Sequence, residues 1–131
     1  ENNGFNKVGK FISKTQNDSD IGVEFEDSKV VNGEKNWIYA FILCDEIKYI
    51  GETAQTLAQR IRLYCAKSHK GSTNTQMRER LKKLIEENQT VDIYAQQAPW
   101  VNVCNRRLQI RVDLEISMIQ EIKPEWNKKG L

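Results

Sequence analysis

The chain has 131 residues, which is enough for one domain with one hydrophobic core and excludes a multidomain enzyme. Hydrophobic residues make up 39% of the chain and charged residues 29%, a balance that is typical of globular proteins and excludes disordered or collagen-like ones. The net charge of +2 is too small to indicate a nucleic-acid or membrane partner by itself. The longest apolar run, residues 37–44, is far shorter than the roughly 20 residues of a membrane helix, so we expect no membrane partner.

The first 36 residues are weakly patterned. Two short stretches, residues 8–12 and 23–25, have the composition of strands and are separated by a polar run at 13–20. We therefore predict a small β-rich N-terminal extension over residues 1–36, packed on a main domain that covers residues 37–131. The sequence assigns no function to this extension.

The main domain begins with a predicted β-hairpin. Residues 37–44 are apolar and rich in β-branched and aromatic side chains, as in a strand buried on both faces, and a second strand follows at 47–50 after a turn at 45–46. Tyr39 in the first strand and Tyr49 in the second are spaced so that both can lie on one face of the sheet. Paired aromatic side chains on a hairpin usually belong to a core.

Two helices and a third strand are predicted next. Thr56 and Gln59 have the spacing of a capping box, which places the start of a helix at Leu57. Apolar residues at helical spacing over residues 77–85 indicate a second helix, and the alternating segment 91–95 indicates a third strand.

A loop around Trp100 leads to a third predicted helix from about Leu108 to Ile122, which ends before Pro124. The apolar stripe of this helix is predicted to consist of Leu108, Val112, Ile119 and Ile122. The element order β-β-α-α-β-α predicts an α+β fold in which a three-stranded antiparallel sheet is flanked by helices.

Glu115 interrupts the apolar stripe of the third helix, three residues after Val112 and four before Ile119. Burying a carboxylate without a partner is costly, so Glu115 needs a cation at this position. That cation could be Arg60, in a structural ion pair, or a metal ion, and the spacing leaves both alternatives open.

Positive charge is concentrated in residues 60–83. This segment contains eight basic side chains and one acidic side chain, a net charge of +7, so the remainder of the chain carries −5. Such a segment can bind a polyanion, although a solvated helix face is the commoner explanation of a charge run.

The cysteines argue against two kinds of site. Cys44, Cys65 and Cys104 are widely spaced and odd in number, and His69 is the only histidine. This pattern indicates neither a disulfide framework nor a zinc site with cysteine and histidine ligands. We expect reduced cysteines and a cytoplasmic location.

Five sequence elements, in order, resemble the GIY-YIG nuclease family over about residues 37–127. They are Ile38-Tyr39 in the first strand, Tyr49-Ile50-Gly51 in the second strand, Arg60 in the first helix, Glu115 in the third helix and Asn127 near the end. Within the family, the chain is similar to compact phage enzymes of the endonuclease II type and to restriction endonucleases. Two positions differ from many members: Trp37 stands where the family's name has glycine, and Tyr64 where homing endonucleases often have histidine.

The resemblance implies a divalent-metal-dependent endodeoxyribonuclease that hydrolyses phosphodiester bonds in double-stranded DNA. Tyr39 would be the general base if its pKa, ordinarily near ~10, were lowered, and Tyr49 would position water or contact the phosphate. Arg60 would clamp the phosphate, and Glu115, as the one carboxylate available, would hold a single Mg²⁺ or Mn²⁺ ion. Asn127 would orient a tyrosine or a metal-bound water, or it is a plain cap or turn residue.

Further residues of the site are predicted to contact DNA. They are Gly51, Tyr64, Lys67, His69 and Lys70. Because one active site breaks one strand, we also expect a homodimer or homotetramer that presents two sites to a duplex. Trp100, Val101 and Val103 are candidate interface residues, and a core position is an equal alternative for Trp100.

Three alternatives stay open beside this interpretation. One is a catalytically inactive DNA-binding module of the same fold, which would bind DNA without Mg²⁺-dependent cleavage. A DNA-repair nuclease module is the second. The third is a structural domain in which Arg60 and Glu115 form a buried ion pair, and removal of either residue would then unfold the protein.

Overall fold

The structure is a computed structural model, and it describes residues 4–14, 21–66 and 73–127. The strands are β1 (Asn6–Ser13), β2 (Ile21–Phe25), β3 (Lys35–Leu43), β4 (Glu46–Thr56), β5 (Val91–Gln97), β6 (Trp100–Val103) and β7 (Arg106–Gln109). The helices are α1 (Ser28–Gly33), α2 (Leu57–Cys65), α3 (Thr73–Glu86) and α4 (Arg111–Ile122), and a short 3-10 turn covers Glu125–Asn127. Within these described ranges, no helix combines the length and the apolar character that crossing a membrane requires.

Five strands form one antiparallel sheet in the order β2-β1-β5-β3-β4, so β4 lies at an edge. The α+β prediction is confirmed, and the three predicted strands of the main domain are β3, β4 and β5. The predicted number of strands is wrong, because β1 pairs with β5 and adds β2 beyond it. Phe11 of β1 is buried in the same core as β3, so the N-terminal strands complete the sheet rather than form a separate layer.

Each face of the sheet is covered by an apolar layer. Trp37, Tyr39 and Phe41 of β3 pack on one face, in a cluster to which α1, α2 and α3 contribute. Ile38 and Ala40 alternate with them and pack on the other face, against α4. The sheet therefore separates α4 from the other three helices.

Two hairpins, β3–β4 and β6–β7, are each closed by a two-residue turn. Cys44 and Asp45, which join β3 to β4, have φ angles of 53° and 65°, and Cys104 and Asn105, between β6 and β7, have 52° and 64°. Two consecutive residues of positive φ give a turn whose twist matches that of the flanking strands. The region around Trp100, predicted to be a loop, is therefore a second hairpin, with β6 paired to β7.

The predicted start of the first helix is confirmed. The Oγ1 atom of Thr56 accepts a hydrogen bond from the backbone N–H of Gln59 at 3.3 Å, and the Oε1 atom of Gln59 accepts one from the backbone N–H of Thr56 at 3.3 Å. These reciprocal bonds satisfy backbone donors in the first turn of α2. They also fix the helix that carries Arg60 and Tyr64 relative to the end of β4.

The structure corrects the predicted third helix. α4 begins at Arg111, because the chain first passes through β7, which contains Leu108. Leu108 and Val112, both predicted for the apolar stripe, are 41% and 46% exposed. The residues that pack against the sheet are Leu114, Met118, Ile119 and Ile122. Glu115 therefore lies beside the packed stripe, where it is half-buried.

Candidate active site

Three tyrosines from different elements meet on the α2 side of the sheet. The hydroxyl oxygens of Tyr39 in β3 and Tyr64 in α2 lie 2.7 Å apart, a strong hydrogen bond, and the Tyr64 and Tyr49 hydroxyls lie 3.5 Å apart. Tyr39 and Tyr64 are buried, with 1% and 0% of their surface exposed. The motif tyrosines of β3 and β4 therefore lie on one face, as their spacing predicts, and Tyr64 joins them from above the sheet.

Arg60 joins this group from α2, one turn before Tyr64. Its Nε atom donates to the Tyr39 hydroxyl at 3.1 Å, and a terminal nitrogen donates to the Tyr64 hydroxyl at 2.9 Å. The guanidinium carbon also lies 4.7 Å from the centre of the Tyr64 ring. Arg60 is half-buried and held in a fixed orientation, so it can present its charge to an anion without reorganising. We name Tyr39, Tyr49, Arg60 and Tyr64 the phenol–arginine cluster.

The three phenols are neutral at ordinary pH. Burial raises the pKa of Tyr39 above its usual value, and the nearby charge of Arg60 only partly opposes this effect. Burial also raises the pKa of Tyr64. The pKa of Tyr49 is raised by burial first, and then by Tyr64 and by the negative charge of Glu115. In this state of the protein the tyrosines are thus hydrogen-bonding groups, and a phenolate requires further positive charge nearby.

Gly51 leaves the space that the Tyr39 ring occupies. The two residues face each other across β3 and β4, and a Cβ atom at position 51 would lie 2.5 Å from the Tyr39 hydroxyl oxygen. Nonbonded carbon and oxygen atoms do not approach so closely, so any side chain here would displace the phenol. The need for glycine at position 51 therefore has a steric cause within the protein: only a residue without a side chain leaves room for the Tyr39 ring.

Asn127 binds the free edge of β4. Its Oδ1 atom accepts a hydrogen bond from the backbone N–H of Ile50 at 2.8 Å, and its Nδ2 donates to the carbonyl of Ile50 at 2.9 Å. The side-chain amide thus replaces the backbone of a neighbouring strand at an edge position. Ile50 stands between Tyr49 and Gly51, so Asn127 holds the strand segment that carries both motif residues.

Glu115 approaches the cluster from α4, on the other face of the sheet. Its carboxylate is near enough to Tyr49 to contribute to the raised pKa of that phenol. α4 contacts the edge strand β4. The structure thus brings together the tyrosines and the arginine that sequence reasoning singled out, and the charge of Glu115 acts on Tyr49.

One carboxylate at such a site suits a particular kind of metal. Within residues 4–14, 21–66 and 73–127, no three His, Cys, Asp or Glu side chains form a ready-made metal site. Mg²⁺ is commonly held by one or two carboxylates, with water and phosphate oxygens as its remaining ligands. The half-buried carboxylate of Glu115, whose charge acts on Tyr49, fits a Mg²⁺ ion of this type.

The basic segment is only partly solvated. Arg78 is 5% exposed and donates from Nε to the carbonyl of Cys65 at 3.2 Å, a structural contact at the end of α2. Arg80 is exposed, with its guanidinium 5.1 Å from the centre of the Trp126 ring. Three predicted DNA contacts lie outside the described residues: Lys67, His69 and Lys70.

One polar contact near the site was missed in the sequence. Arg111, at the start of α4, forms an ion pair with Glu52, which directly follows Gly51 in β4. The spacing of Arg111 four residues before Glu115 points to Glu115 rather than Glu52, so no local pattern in the sequence predicts this partner.

The fold and the cluster define a nuclease family. The GIY-YIG catalytic domain profile matches residues 35–129, and the chain belongs to this family. Comparison with curated protein sequences gave no significant match.

Two solved structures are similar to this chain. A glutamate-to-alanine variant of bacteriophage T4 EndoII is 25% identical, with a TM-score of 0.70 over 94% of this chain and 91% of that protein. The restriction endonuclease HPY188I, solved with product DNA, is 18% identical, with a TM-score of 0.56 over 92% of this chain and 77% of that protein. The second likeness supports the fold alone.

Proposed function

We propose that this protein is a divalent-metal-dependent endonuclease that hydrolyses phosphodiester bonds in double-stranded DNA. The observation that carries the proposal is the phenol–arginine cluster with the carboxylate of Glu115 beside Tyr49. Membership of the GIY-YIG family and the likeness to T4 EndoII support the same reaction.

Arg60 is proposed to bind the scissile phosphate. Its guanidinium is already oriented by Tyr39 and Tyr64, and it can place a fixed positive charge where negative charge develops on the phosphoryl oxygens. Removing one such preorganised donor typically lowers a rate by about 10²- to 10³-fold. The hydrogen-bonded phenols also keep the guanidinium from rotating away.

Glu115 is proposed to hold Mg²⁺ or Mn²⁺. When bound, the ion would polarise the phosphate and stabilise the leaving oxygen. α4 packs on the face of the sheet opposite to α2, so Glu115 and Arg60 come from helices on different faces. We propose that the metal at Glu115 and the guanidinium of Arg60 bind different oxygens of one phosphate.

Tyr39 and Tyr49 are proposed to deprotonate and position the attacking water. We assign Tyr39 as the general base and Tyr49 as the residue that positions water or contacts the phosphate. Burial keeps both phenols protonated in the free protein. Tyr39 can therefore act as the base only after positive charge in the complex lowers its pKa and it releases its own proton to solvent, and the phenolate then takes a proton from the attacking water. We also propose that Tyr64, whose hydroxyl lies 2.7 Å from that of Tyr39, shares the proton taken from water and contacts the phosphate.

The remaining assignments concern positioning and DNA contact. Gly51 and Asn127 are proposed to act indirectly, since one makes room for Tyr39 and the other holds the backbone of Ile50. Lys67, His69 and Lys70 remain proposed DNA contacts. A cytoplasmic location is proposed because all three cysteines are free thiols.

We propose assembly into a homodimer or homotetramer. Large apolar side chains on β6, β7 and α4 are between 41% and 48% exposed: Trp100, Val103, Leu108, Val112 and Ile116. Trp100 is therefore a surface residue rather than a core residue. Exposed large apolar side chains can contribute to a protein interface, and a second subunit would supply an active site for the second DNA strand.

Incubation of supercoiled plasmid DNA with the protein and Mg²⁺ tests the proposed activity. We expect nicked or linear products, no products in excess EDTA, and no products from Glu115→Gln, which keeps the shape of the side chain but removes its charge. Asp113→Asn, on the exposed side of the same helix, is the matched control and should cleave normally. Undiminished cleavage in EDTA, or by Glu115→Gln, would contradict the metal-dependent mechanism.

A further inference from the structure

Arg111, the first residue of α4, joins this helix to the sheet with a forked pair of hydrogen bonds. Its Nε atom donates to a carboxylate oxygen of Glu52 in β4, and a terminal nitrogen donates to the Oδ1 atom of Asn36 in β3 at 2.7 Å. The side chains of Arg111 and Glu52 are 17% and 28% exposed, so their ion pair is shielded from most of the solvent. Arg111 thus fixes the start of α4 at two neighbouring strands.

The other contacts of α4 are mainly those of partly buried apolar side chains. No residue of α4 is fully buried, and its N-cap, Ile110, provides no side-chain hydrogen bond. Gln109 supplies part of what is missing, because its Oε1 atom accepts a hydrogen bond from the backbone N–H of Arg111 at 2.8 Å. Apolar side chains farther along α4 pack on the sheet, but apolar packing is not directional, so the hydrogen bonds of the first turn add the contacts that specify where the helix begins.

Glu115 lies one helical turn after Arg111, on the same side of α4. At the other end of the ion pair, Glu52 directly follows Gly51, against which the Tyr39 ring packs. The ion pair therefore connects the turn that precedes Glu115 to the strand segment that supports the phenol–arginine cluster.

We propose that Arg111 is a positioning residue, whose ion pair with Glu52 holds the Glu115 carboxylate in place at the phenol–arginine cluster. The inference rests on the proposed role of Glu115 and adds the contact that sets its position. A displacement of about 1 Å at a catalytic group can lower a rate about 10²-fold. Breaking the ion pair should therefore lower kcat, whereas the affinity for DNA should not change.

Arg111→Met tests the inference, because methionine keeps much of the apolar length of the side chain and removes the charged fork. We expect kcat to fall roughly 10- to 100-fold, the KM for a duplex oligonucleotide to stay unchanged, and the Mg²⁺ concentration for half-maximal rate to rise. Lys7→Met is the matched control, since it removes ion pairs with Asp92 and Glu26 that involve no residue of α4. Its kcat should equal that of the wild type, with all assays run below the unfolding transition.

If Arg111→Met does not fold, exchanging the charges of Arg111 and Glu52 tests the inference instead. Glu52→Arg alone should lose kcat, and combining it with Arg111→Glu should recover a large part of the loss by restoring the pair in reverse. Arg111→Lys should retain an intermediate kcat, because lysine keeps the charge and loses the fork. Failure of the double variant to exceed Glu52→Arg in kcat would count against the inference.

Two results with Arg111→Met would overturn the inference. One is a kcat equal to that of the wild type, and the other is a raised KM with unchanged kcat, which would identify Arg111 as a DNA contact. Glu115→Gln separates this inference from the proposed function. If Glu115→Gln cleaves normally, both fail; if it is inactive while Arg111→Met is normal, only the positioning role fails.

Discussion

Gly51→Ala tests whether the position of the Tyr39 phenol is essential. The new methyl carbon would lie 2.5 Å from both the hydroxyl oxygen and the Cζ atom of Tyr39, about 1 Å closer than an ordinary contact. Tyr39 is 1% exposed, so the ring cannot escape into solvent. Either the ring shifts by about 1 Å within the core or β4 moves away from β3.

Either response disrupts the cluster. The Tyr39 hydroxyl lies 2.7 Å from that of Tyr64 and 3.1 Å from the Nε atom of Arg60, so a shift of about 1 Å breaks one or both hydrogen bonds. Overpacking a core costs about 1–3 kcal/mol, and each lost hydrogen bond adds about 1 kcal/mol. We expect a loss of roughly 2–5 kcal/mol in unfolding free energy, a Tm lower by about 10 °C, and cleavage slowed about 10²-fold.

The matched control is Gly33→Ala at the end of α1. A Cβ atom there would have no neighbour within 4 Å, so this variant should be as stable as the wild type or slightly more stable. Thermal unfolding followed by circular dichroism, and plasmid cleavage at a temperature where both variants are folded, provide the comparison. Equal Tm and equal cleavage in the two variants would refute the reasoning, because the Tyr39 ring would then have room for a side chain at position 51.

Three further outcomes are expected. Asn127→Ala should lower the unfolding free energy in urea by about 1–3 kcal/mol, since both edge groups of Ile50 lose their partner, and a change below the error of the method would contradict the edge-binding role. The unfolding free energy should be fully retained below pH ~10 and should fall above it, because the unfolded chain ionises tyrosines whose pKa values are raised by burial in the folded protein. Tyr64→Phe removes one of these buried phenols, so the unfolding free energy of this variant should fall less steeply with pH. A slope identical to that of the wild type would contradict the contribution of Tyr64. Ile116→Glu should convert an oligomer into monomers in light scattering, whereas an unchanged assembly would place the interface elsewhere.

Local patterns predicted those parts of the fold that depend on neighbours in the chain. The capping box at Thr56 and Gln59 is complete within four residues, and the structure contains it as predicted. The pairing of Asn6 with Ala95, by contrast, joins distant segments, and no local pattern specifies it. The β6–β7 turn was missed because its first residue, Cys104, adopts a positive φ angle, whereas turns of this kind are recognised in sequences by Asn-Gly or Asp-Gly pairs.

The candidate site was predictable to the extent that a motif marks it. The residues of the phenol–arginine cluster were named from the sequence, and the structure brings them together. Glu115 was noticed as a carboxylate in an apolar stripe. Half of that predicted stripe is wrong, since Leu108 and Val112 are exposed, whereas Ile119 and Ile122 pack on the sheet as predicted. The contact of Gly51 with Tyr39 and the ion pair of Arg111 with Glu52 connect separate elements, so only the three-dimensional structure could reveal them.

Single-turnover cleavage of duplex DNA by Arg60→Ala, at protein concentrations that bind all of the DNA, tests the central claim most directly. Binding is confirmed in the same samples with Ca²⁺, which we expect to support binding better than turnover. If Arg60 stabilises charge on the scissile phosphate, the rate should fall at least about 10²-fold relative to the wild type, while the DNA stays bound and the protein stays folded at the assay temperature. A cleavage rate for Arg60→Ala equal to that of the wild type would contradict the account.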